Sequence, residues 1–151
     1  MLDIDSFRKK IKEKSRLMGI DPGKSRIGIS LSDENRRIAI PFKTIHKKEF
    51  SVFLKEIISI IDENKIEGIV IGNPINMDGS KGPSSQSAKD LLINLSKNIS
   101  FPIILWDERL SSQGSFKIMQ NLDINSSKKR DSLDRNAAAF ILQGFLDFLN
   151  K

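Results

Sequence analysis

The sequence predicts an α/β fold in which helices flank a mixed five-stranded sheet. Residues 17–44 contain short apolar segments separated by turn residues, which is the pattern of consecutive strands. Beyond residue 50, segments with helical spacing of apolar residues alternate with short apolar runs, which indicates helices between buried parallel strands. The 151 residues are enough for one domain with a full core.

Residues 1–16 form a basic N-terminal extension, and residues 17–151 form the domain that contains the sheet. Six basic and three acidic side chains lie within residues 1–17. Leu2, Ile4, Phe7 and Ile11 recur at rough helical spacing, which predicts an amphipathic helix. We interpret it as an appendage, either solvated or loosely docked, and an arm that binds nucleic acid is the alternative.

Three strands are predicted in succession. They cover Leu17 to Asp21, Arg26 to Ser32 and Arg37 to Thr44, and tight turns that begin at Pro22-Gly23 and at Asp33 join them. Pro41 cannot donate a hydrogen bond to a neighbouring strand. The third strand is therefore predicted to lie at an edge of the sheet.

The rest of the chain is predicted to alternate helix and strand. The elements are a helix from Phe50 to Glu63, a strand from Gly68 to Gly72, a loop over 74–83, a helix over 84–98, a strand from Ile103 to Trp106, a helix over 112–121, a polar stretch from Asp123 to Arg130 and a helix from about Ser132 to Leu149. Right-handed crossovers would add the later strands parallel to a central first strand. This is the layout of the ribonuclease H-like fold.

Acidic residues end two of the predicted parallel strands. Asp21 ends the first strand and the pair Asp107-Glu108 ends the last one, so both lie at the edge of the sheet where open α/β sheets place their sites. Side chains alternate along a strand, so only one member of the pair faces the site. We choose Glu108 for its position and reach, with Asp107 as the alternate. A turn acid and a helix cap remain the structural alternatives.

Asp134 is the third candidate because of its place on the last predicted helix. It continues an apolar stripe formed by Ala138, Ile141, Phe145 and Phe148, and a carboxylate on a buried stripe needs a partner. The small residues Ala137 and Ala138 would let the helix approach the sheet closely. Asp131 competes for the same role, and a favourable contact with the helix dipole is the structural alternative.

Several carboxylates at one edge repel each other, and a divalent cation removes that conflict. Mg²⁺ suits carboxylate ligands, whereas a chain with no Cys and a single histidine, His46, does not favour a zinc site. We interpret His46 as a surface residue. Two ions about 4 Å apart would support hydrolysis of a phosphodiester.

Further residues are candidates for contacts with a nucleic-acid substrate. Gly23 leaves room for a phosphate beside Asp21, and a basic cluster precedes Asp134. The complete set is Gly23, Lys24, Arg26, Asn76, Arg109, Lys128, Lys129 and Arg130. Ordinary turns and a basic surface loop explain several of these positions equally well.

The composition is compatible with such a substrate. The net charge of +6 and the pI near 9.6 favour an anionic partner. No apolar run approaches the roughly 18 residues of a membrane span, and the first residues are too charged for a signal peptide. We therefore expect a cytoplasmic protein with no membrane partner.

Four motifs in order resemble the YqgF/RuvX family over about Leu17 to Leu149. They are Gly19-Ile20-Asp21-Pro22-Gly23 with Arg26-Ile27-Gly28, Gly72-x-Pro74 with Asn76-Met77-Asp78-Gly79, Asp107-Glu108-Arg109-Leu110-Ser111-Ser112, and Asp134 with Ala137-Ala138 and Ile141-Leu142-Gln143. The resemblance implies a ribonuclease H-like nuclease that depends on Mg²⁺ or Mn²⁺ and acts in ribosome biogenesis. It also implies Asp21, Glu108 (or Asp107) and Asp134 as metal ligands.

Four functions are weighed on this basis. The leading hypothesis is an endonuclease that processes the 5′ end of precursor 16S rRNA. A Holliday junction resolvase is the second, and it would act as a homodimer because two opposed cuts need two sites; the rRNA hypothesis fits a monomer or a homodimer. A ribosome-assembly protein that binds RNA without cleaving it is the third. A phosphotransferase of the sugar-kinase type is disfavoured because the chain is too short for the two domains that enclose ATP.

Overall fold

The computed structural model describes residues 2–46, 49–74, 82–108 and 127–151, and for residues 83–85 and 127–130 it describes the backbone alone. Nine elements lie in these ranges: α1 (Ile4–Lys10), β1 (Arg16–Pro22), β2 (Arg26–Ser32), β3 (Ala39–His46), α2 (Phe50–Asn64), β4 (Ile66–Asn73), α3 (Pro83–Ser96), β5 (Ile103–Asp107) and α4 (Ser127–Leu149).

The five strands form one sheet in the order β3-β2-β1-β4-β5. β1, β2 and β3 pair antiparallel, and β4 and β5 add to β1 in parallel. The predicted mixed sheet with a central first strand is confirmed. The predicted edge position of the third strand is also confirmed, and its register shifts where Pro41 pairs with Ser30.

Two apolar layers cover the two faces of the sheet. Along β1 the side chains alternate between them: Met18 and Ile20 belong to the layer under α2 and α3, and Leu17 belongs to the layer under α4. Every second side chain of β1 therefore faces α4.

Helix α1 contributes to the layer under α4. Phe7 is fully buried and its ring meets the ring of Phe145 edge-on at 5.3 Å. A Cβ at Gly68 would lie 3.0 Å from the Phe7 ring, so β4 passes directly beneath it. Arg8 Nη2 donates a hydrogen bond to the carbonyl of Leu149 at 3.1 Å. The predicted helix is present, but its interpretation as a solvated or loosely docked appendage is wrong, because Phe7 belongs to the core between the sheet and α4.

Two predicted boundaries are wrong. The last helix begins at Ser127, so the described end of the predicted polar stretch, Ser127–Arg130, is helical. Lys and Arg are good helix formers, and an apolar pattern is not needed to extend a helix through them. The third strand begins at Ala39, because Asp33 Oδ1 accepts hydrogen bonds from the amides of Arg37 and Ile38 and holds both in the turn. The helix predicted over 112–121 lies outside the described residues.

Candidate active site

The site begins at Asp21, near the carboxyl end of the central strand. Asp21 pairs with Gly28 of β2 in the antiparallel register. Leu17 belongs to the layer under α4, and a Cβ at Gly19 would lie 2.7 Å from Leu142 of α4. By the alternation of the strand, the Asp21 side chain faces the same helix.

Helix α4 crosses β2 in direct backbone contact. A Cβ at Gly28 would lie 2.0 Å from the carbonyl oxygen of Asp134, so only glycine fits at this position. One turn further along, Ser30 Oγ donates a hydrogen bond to the carbonyl of Ala138 at 2.8 Å. Both contacts confirm the predicted close approach of this helix. Gly28 therefore has two neighbours: Asp21 pairs with it on β1, and the backbone of Asp134 in α4 packs directly against it.

Neighbouring carboxylates raise the pKa of Asp21 and of Glu108. Burial raises the pKa of Asp21 to about 7, with a further contribution from the charge of Asp134. Burial raises the pKa of Glu108 to about 8, with contributions from the charges of Asp21 and then Asp107. Asp21 thus lies within electrostatic reach of both Asp134 and Glu108.

Asp107 and Glu108 occupy different places at that edge. Asp107 ends β5 opposite Asn73 of β4. Trp106 belongs to the layer under α4, so alternation directs Asp107 to the opposite face. Glu108 lies beyond the strand and is half-buried, within electrostatic reach of Asp21.

Asp131 and Asp134 of α4 both have partners. Asp134 Oδ2 accepts a hydrogen bond from Arg26 Nε at 2.5 Å, and the same nitrogen lies 3.9 Å from Asp131 Oδ1. His46 Nε2 lies 3.0 Å from Asp131 Oδ2, and the hydroxyl of Thr44 donates to the Asp131 carbonyl. The side chain of His46 is 59% exposed, as expected for a surface residue, but its pairing with Asp131 could not be predicted from the sequence.

The chemistry of these carboxylates suits a hard divalent cation, but in this structure they are not grouped closely enough to bind one. Carboxylate oxygens suit Mg²⁺ and Mn²⁺. The raised pKa values of Asp21 and Glu108 show that their charged forms are disfavoured in this environment, and a nearby cation would stabilise those charged forms. Within the described ranges, no three His, Asp or Glu side chains are grouped closely enough to hold a metal ion. Arg26 is the counterion of Asp134 in this arrangement.

The predicted substrate-binding residues have different outcomes. Gly23 is required by the turn itself, because a Cβ there would lie 2.1 Å from the Arg26 carbonyl. Lys24 is exposed on this turn, and Arg26 is held by Asp134. Asn76 and Arg109 lie outside the described residues. Lys128, Lys129 and Arg130 lie in the first turn of α4, where only the backbone is described.

Comparison with known sequences gives consistent results. A family model described as "RuvX: Holliday junction resolvase" matches residues 15–148. A protein of Pelagibacter ubique (strain HTCC1062), named "Putative pre-16S rRNA nuclease", is 51% identical over 150 residues, which is 99% of this chain and 99% of that protein. A protein of Rhodobacter capsulatus with the same name is 40% identical and covers 97% of this chain and 92% of its own length.

Solved structures show the same fold at low sequence identity. The yeast mitochondrial Holliday junction resolvase matches with a TM-score of 0.56 at 11% identity, over 93% of this chain and 81% of its own. RuvC of T. thermophilus in complex with a Holliday junction substrate matches with a TM-score of 0.54 at 10% identity, over 87% and 93%. The predicted ribonuclease H-like fold is confirmed. No helix in the described part of the chain has the length and apolarity needed to cross a membrane.

Proposed function

Because the chain belongs to the RuvX family, we propose that it is a metal-dependent endonuclease that hydrolyses phosphodiester bonds at the 5′ end of precursor 16S rRNA. The relatives named for this activity align with nearly the whole chain. In this proposal the substrate is structured RNA, and the protein acts in the cytoplasm.

One observation supports a catalytic role above the others: carboxylates from three distant parts of the chain share an electrostatic environment at one edge of the sheet. Burial and then the charge of Asp134 raise the pKa of Asp21, and burial and then the charge of Asp21 raise the pKa of Glu108. A protein that only bound RNA would gain nothing from negative charge turned toward phosphate. Two divalent cations beside these three carboxylates would reverse the sign of the charge at this edge of the sheet.

We assign the metal ligands to Asp21, Glu108 and Asp134, with Asp107 and Asp131 as alternates. Mg²⁺ or Mn²⁺, as two ions, would activate water and stabilise the leaving oxygen when bound. Glu108 is preferred to Asp107 because β5 directs Asp107 to the other face. Asp134 is preferred to Asp131 because Asp131 is engaged by His46 as well as Arg26.

Arg26 has a separate role in this scheme. It neutralises Asp134 through the 2.5 Å hydrogen bond, and it would be released when a cation takes over that carboxylate. A released guanidinium would stand at the edge of the sheet with five donors available for phosphate oxygens. Arg26 therefore positions Asp134 first and contacts substrate second.

The direct test is incubation with a precursor 16S 5′ fragment in Mg²⁺ or Mn²⁺. We expect cleavage that a chelator abolishes and that Asp21→Asn reduces by at least 100-fold. Asp62→Asn, an exposed acid on α2, is the matched control and should cleave like the wild type. Cleavage undiminished by Asp21→Asn would disprove the assigned site, and tight metal-independent RNA binding without cleavage would favour an assembly factor.

A junction resolvase is the second candidate, supported by the description of the matching family model. A four-way DNA junction with labelled arms tests it. Symmetric nicks by a homodimer, with the rRNA fragment left intact, would favour this function over the first.

A further inference from the structure

We propose that the cleft between the Pro22-Gly23 turn, α2 and α3 binds one nucleobase of the substrate strand next to the scissile phosphate. This inference rests on the proposed nuclease function. We call the sheet edge with Asp21, Glu108 and Asp134 the acidic edge; its proposed role is at the scissile phosphate. The cleft would add a separate site that recognises a base.

The cleft has the size and lining of a base-binding site. Its volume is about 300 Å³, which is at the lower end of the range for small-ligand pockets. Buried Ile27 and Phe53 form part of its wall together with Leu91. Phe50 is 36% exposed, and its ring centroid lies 6.1 Å from that of Phe53 at an angle of 44°. An exposed aromatic ring beside an apolar wall is the surface on which RNA-binding proteins stack unpaired bases.

Polar groups occupy the other side of the cleft. Ser87, Asp90 and Asn94 line it from α3, spaced three and four residues apart and therefore on one face of the helix. Asp90 Oδ1 accepts a hydrogen bond from Gln86 Nε2 at 3.0 Å, which orients the carboxylate. A carboxylate and an amide are the groups that read the polar edges of bases. Asp90 also disfavours a second phosphate in this cleft.

The position of the cleft connects it to the acidic edge. Pro22 and Gly23 form part of its lining, and they directly follow Asp21 along the chain. Two extended residues span no more than about 7 Å, so a phosphate at Asp21 and a base in the cleft fit within one nucleotide of each other. Asp21 faces α4, whereas Ile27 and Phe53 belong to the layer under α2. The RNA strand would thus cross the Pro22-Gly23 turn, with its phosphate on the side of Asp21 and its base on the side of the cleft.

The lining also indicates which bases are accepted. Adenine, cytosine and guanine carry an exocyclic amine that can donate to the Asp90 carboxylate. Uracil has no exocyclic amine, and two carbonyl groups flank its one ring donor. We therefore expect uracil to be the least favoured base at this position.

Binding of fluorescein-labelled RNA octamers, oligo(A), oligo(C) and oligo(U), to the full chain tests the inference without requiring cleavage. We expect the wild type to bind oligo(A) and oligo(C) more tightly than oligo(U). Phe50→Ala should weaken oligo(A) binding on the order of tenfold, the loss of one stacked base. Asp90→Asn should bring the three octamers to within twofold of each other. Val52→Ala, also exposed on α2, is the matched control and should change nothing.

The outcomes separate this inference from the proposed function. Unchanged binding and base preference in both Phe50→Ala and Asp90→Asn overturns the base site, whether or not the wild type cleaves RNA. The predicted changes in binding support the base site even if no cleavage of the precursor fragment is found. Asp90 is exposed on α3, so Asp90→Asn tests the site even if Phe50→Ala disturbs the packing of α2.

Discussion

Replacing Asp21 with asparagine should stabilise the metal-free protein at alkaline pH, in contrast to its effect on catalysis. Asp21 has a pKa of about 7 in the folded protein and an ordinary value of 3.8. Between pH 3.8 and about pH 7, Asp21 has lost its proton in the unfolded chain but still holds it in the folded protein. The free energy of unfolding must therefore fall as the pH rises from about 4 to about 7.

The size of the effect follows from the difference between the two values. About three pKa units at about 1.4 kcal/mol each correspond to about 4 kcal/mol. Water that reaches this half-buried carboxyl screens part of its repulsion, so we expect about 2–4 kcal/mol at pH 8. Asparagine has nearly the same shape and no charge, and it escapes this cost.

Urea denaturation in a chelator, at pH 4 and at pH 8, measures the effect. The free energy of unfolding of Asp21→Asn should exceed that of the wild type by about 2–4 kcal/mol at pH 8 and by less than about 1 kcal/mol at pH 4. Mn²⁺ at 100 times its Kd should raise the free energy of unfolding of the wild type by about 2.7 kcal/mol at pH 8, and that of the variant by much less.

Asp62→Asn, exposed on α2, should stay within about 0.5 kcal/mol of the wild type at both pH values. If Asp21→Asn shows the same difference from the wild type at pH 4 and pH 8, the carboxylate is not under electrostatic strain. The inference that burial, together with the charge of Asp134, raises the pKa of Asp21 would then be wrong.

Three further predictions concern the elements around the site. Gly28→Ala should destabilise the protein in urea by about 1–3 kcal/mol or more and abolish cleavage, because its Cβ would displace the Asp134 backbone; a gain in stability would contradict the contact. Arg26→Gln should bind Mn²⁺ more tightly by calorimetry because Asp134 loses its counterion, whereas Lys24→Gln on the same turn should not; equal affinities would refute the competition. Phe7→Ala should lower the free energy of unfolding in urea by about 3–5 kcal/mol and the more exposed Phe148→Ala by clearly less, and a loss below about 1 kcal/mol at Phe7 would contradict its burial in the core.

The arrangement of strands could be predicted because it follows from local patterns. Alternating apolar residues identify β2, and Pro41 alone places β3 at the edge. The start of α4 could not be predicted, since its first residues are polar and carry no periodic signal. Burial of Phe7 depends on the groove between β4 and α4, which exists only in the folded protein.

The positions of the candidate acids in the fold could be predicted, but their ion-pair partners could not. The end of each strand gave the positions of Asp21 and Glu108, and helical phase gave Asp134. The hydrogen bond from Arg26 to Asp134 joins residues 108 positions apart, and nothing in the sequence near either one indicates it. Gly28 was visible as a glycine of the hairpin, but the helix that requires it lies at the other end of the chain.

The contact of α4 with β2 has a consequence for the order in which the protein acquires activity. Asp21 is synthesised before most of the sheet, whereas Asp134 and the helix that rests on Gly28 are synthesised after all five strands. A chain still growing on the ribosome can hold the first carboxylate but cannot yet set the third beside it. If the proposed site is right, catalytic competence requires α4, and a product truncated before residue 127 would lack it.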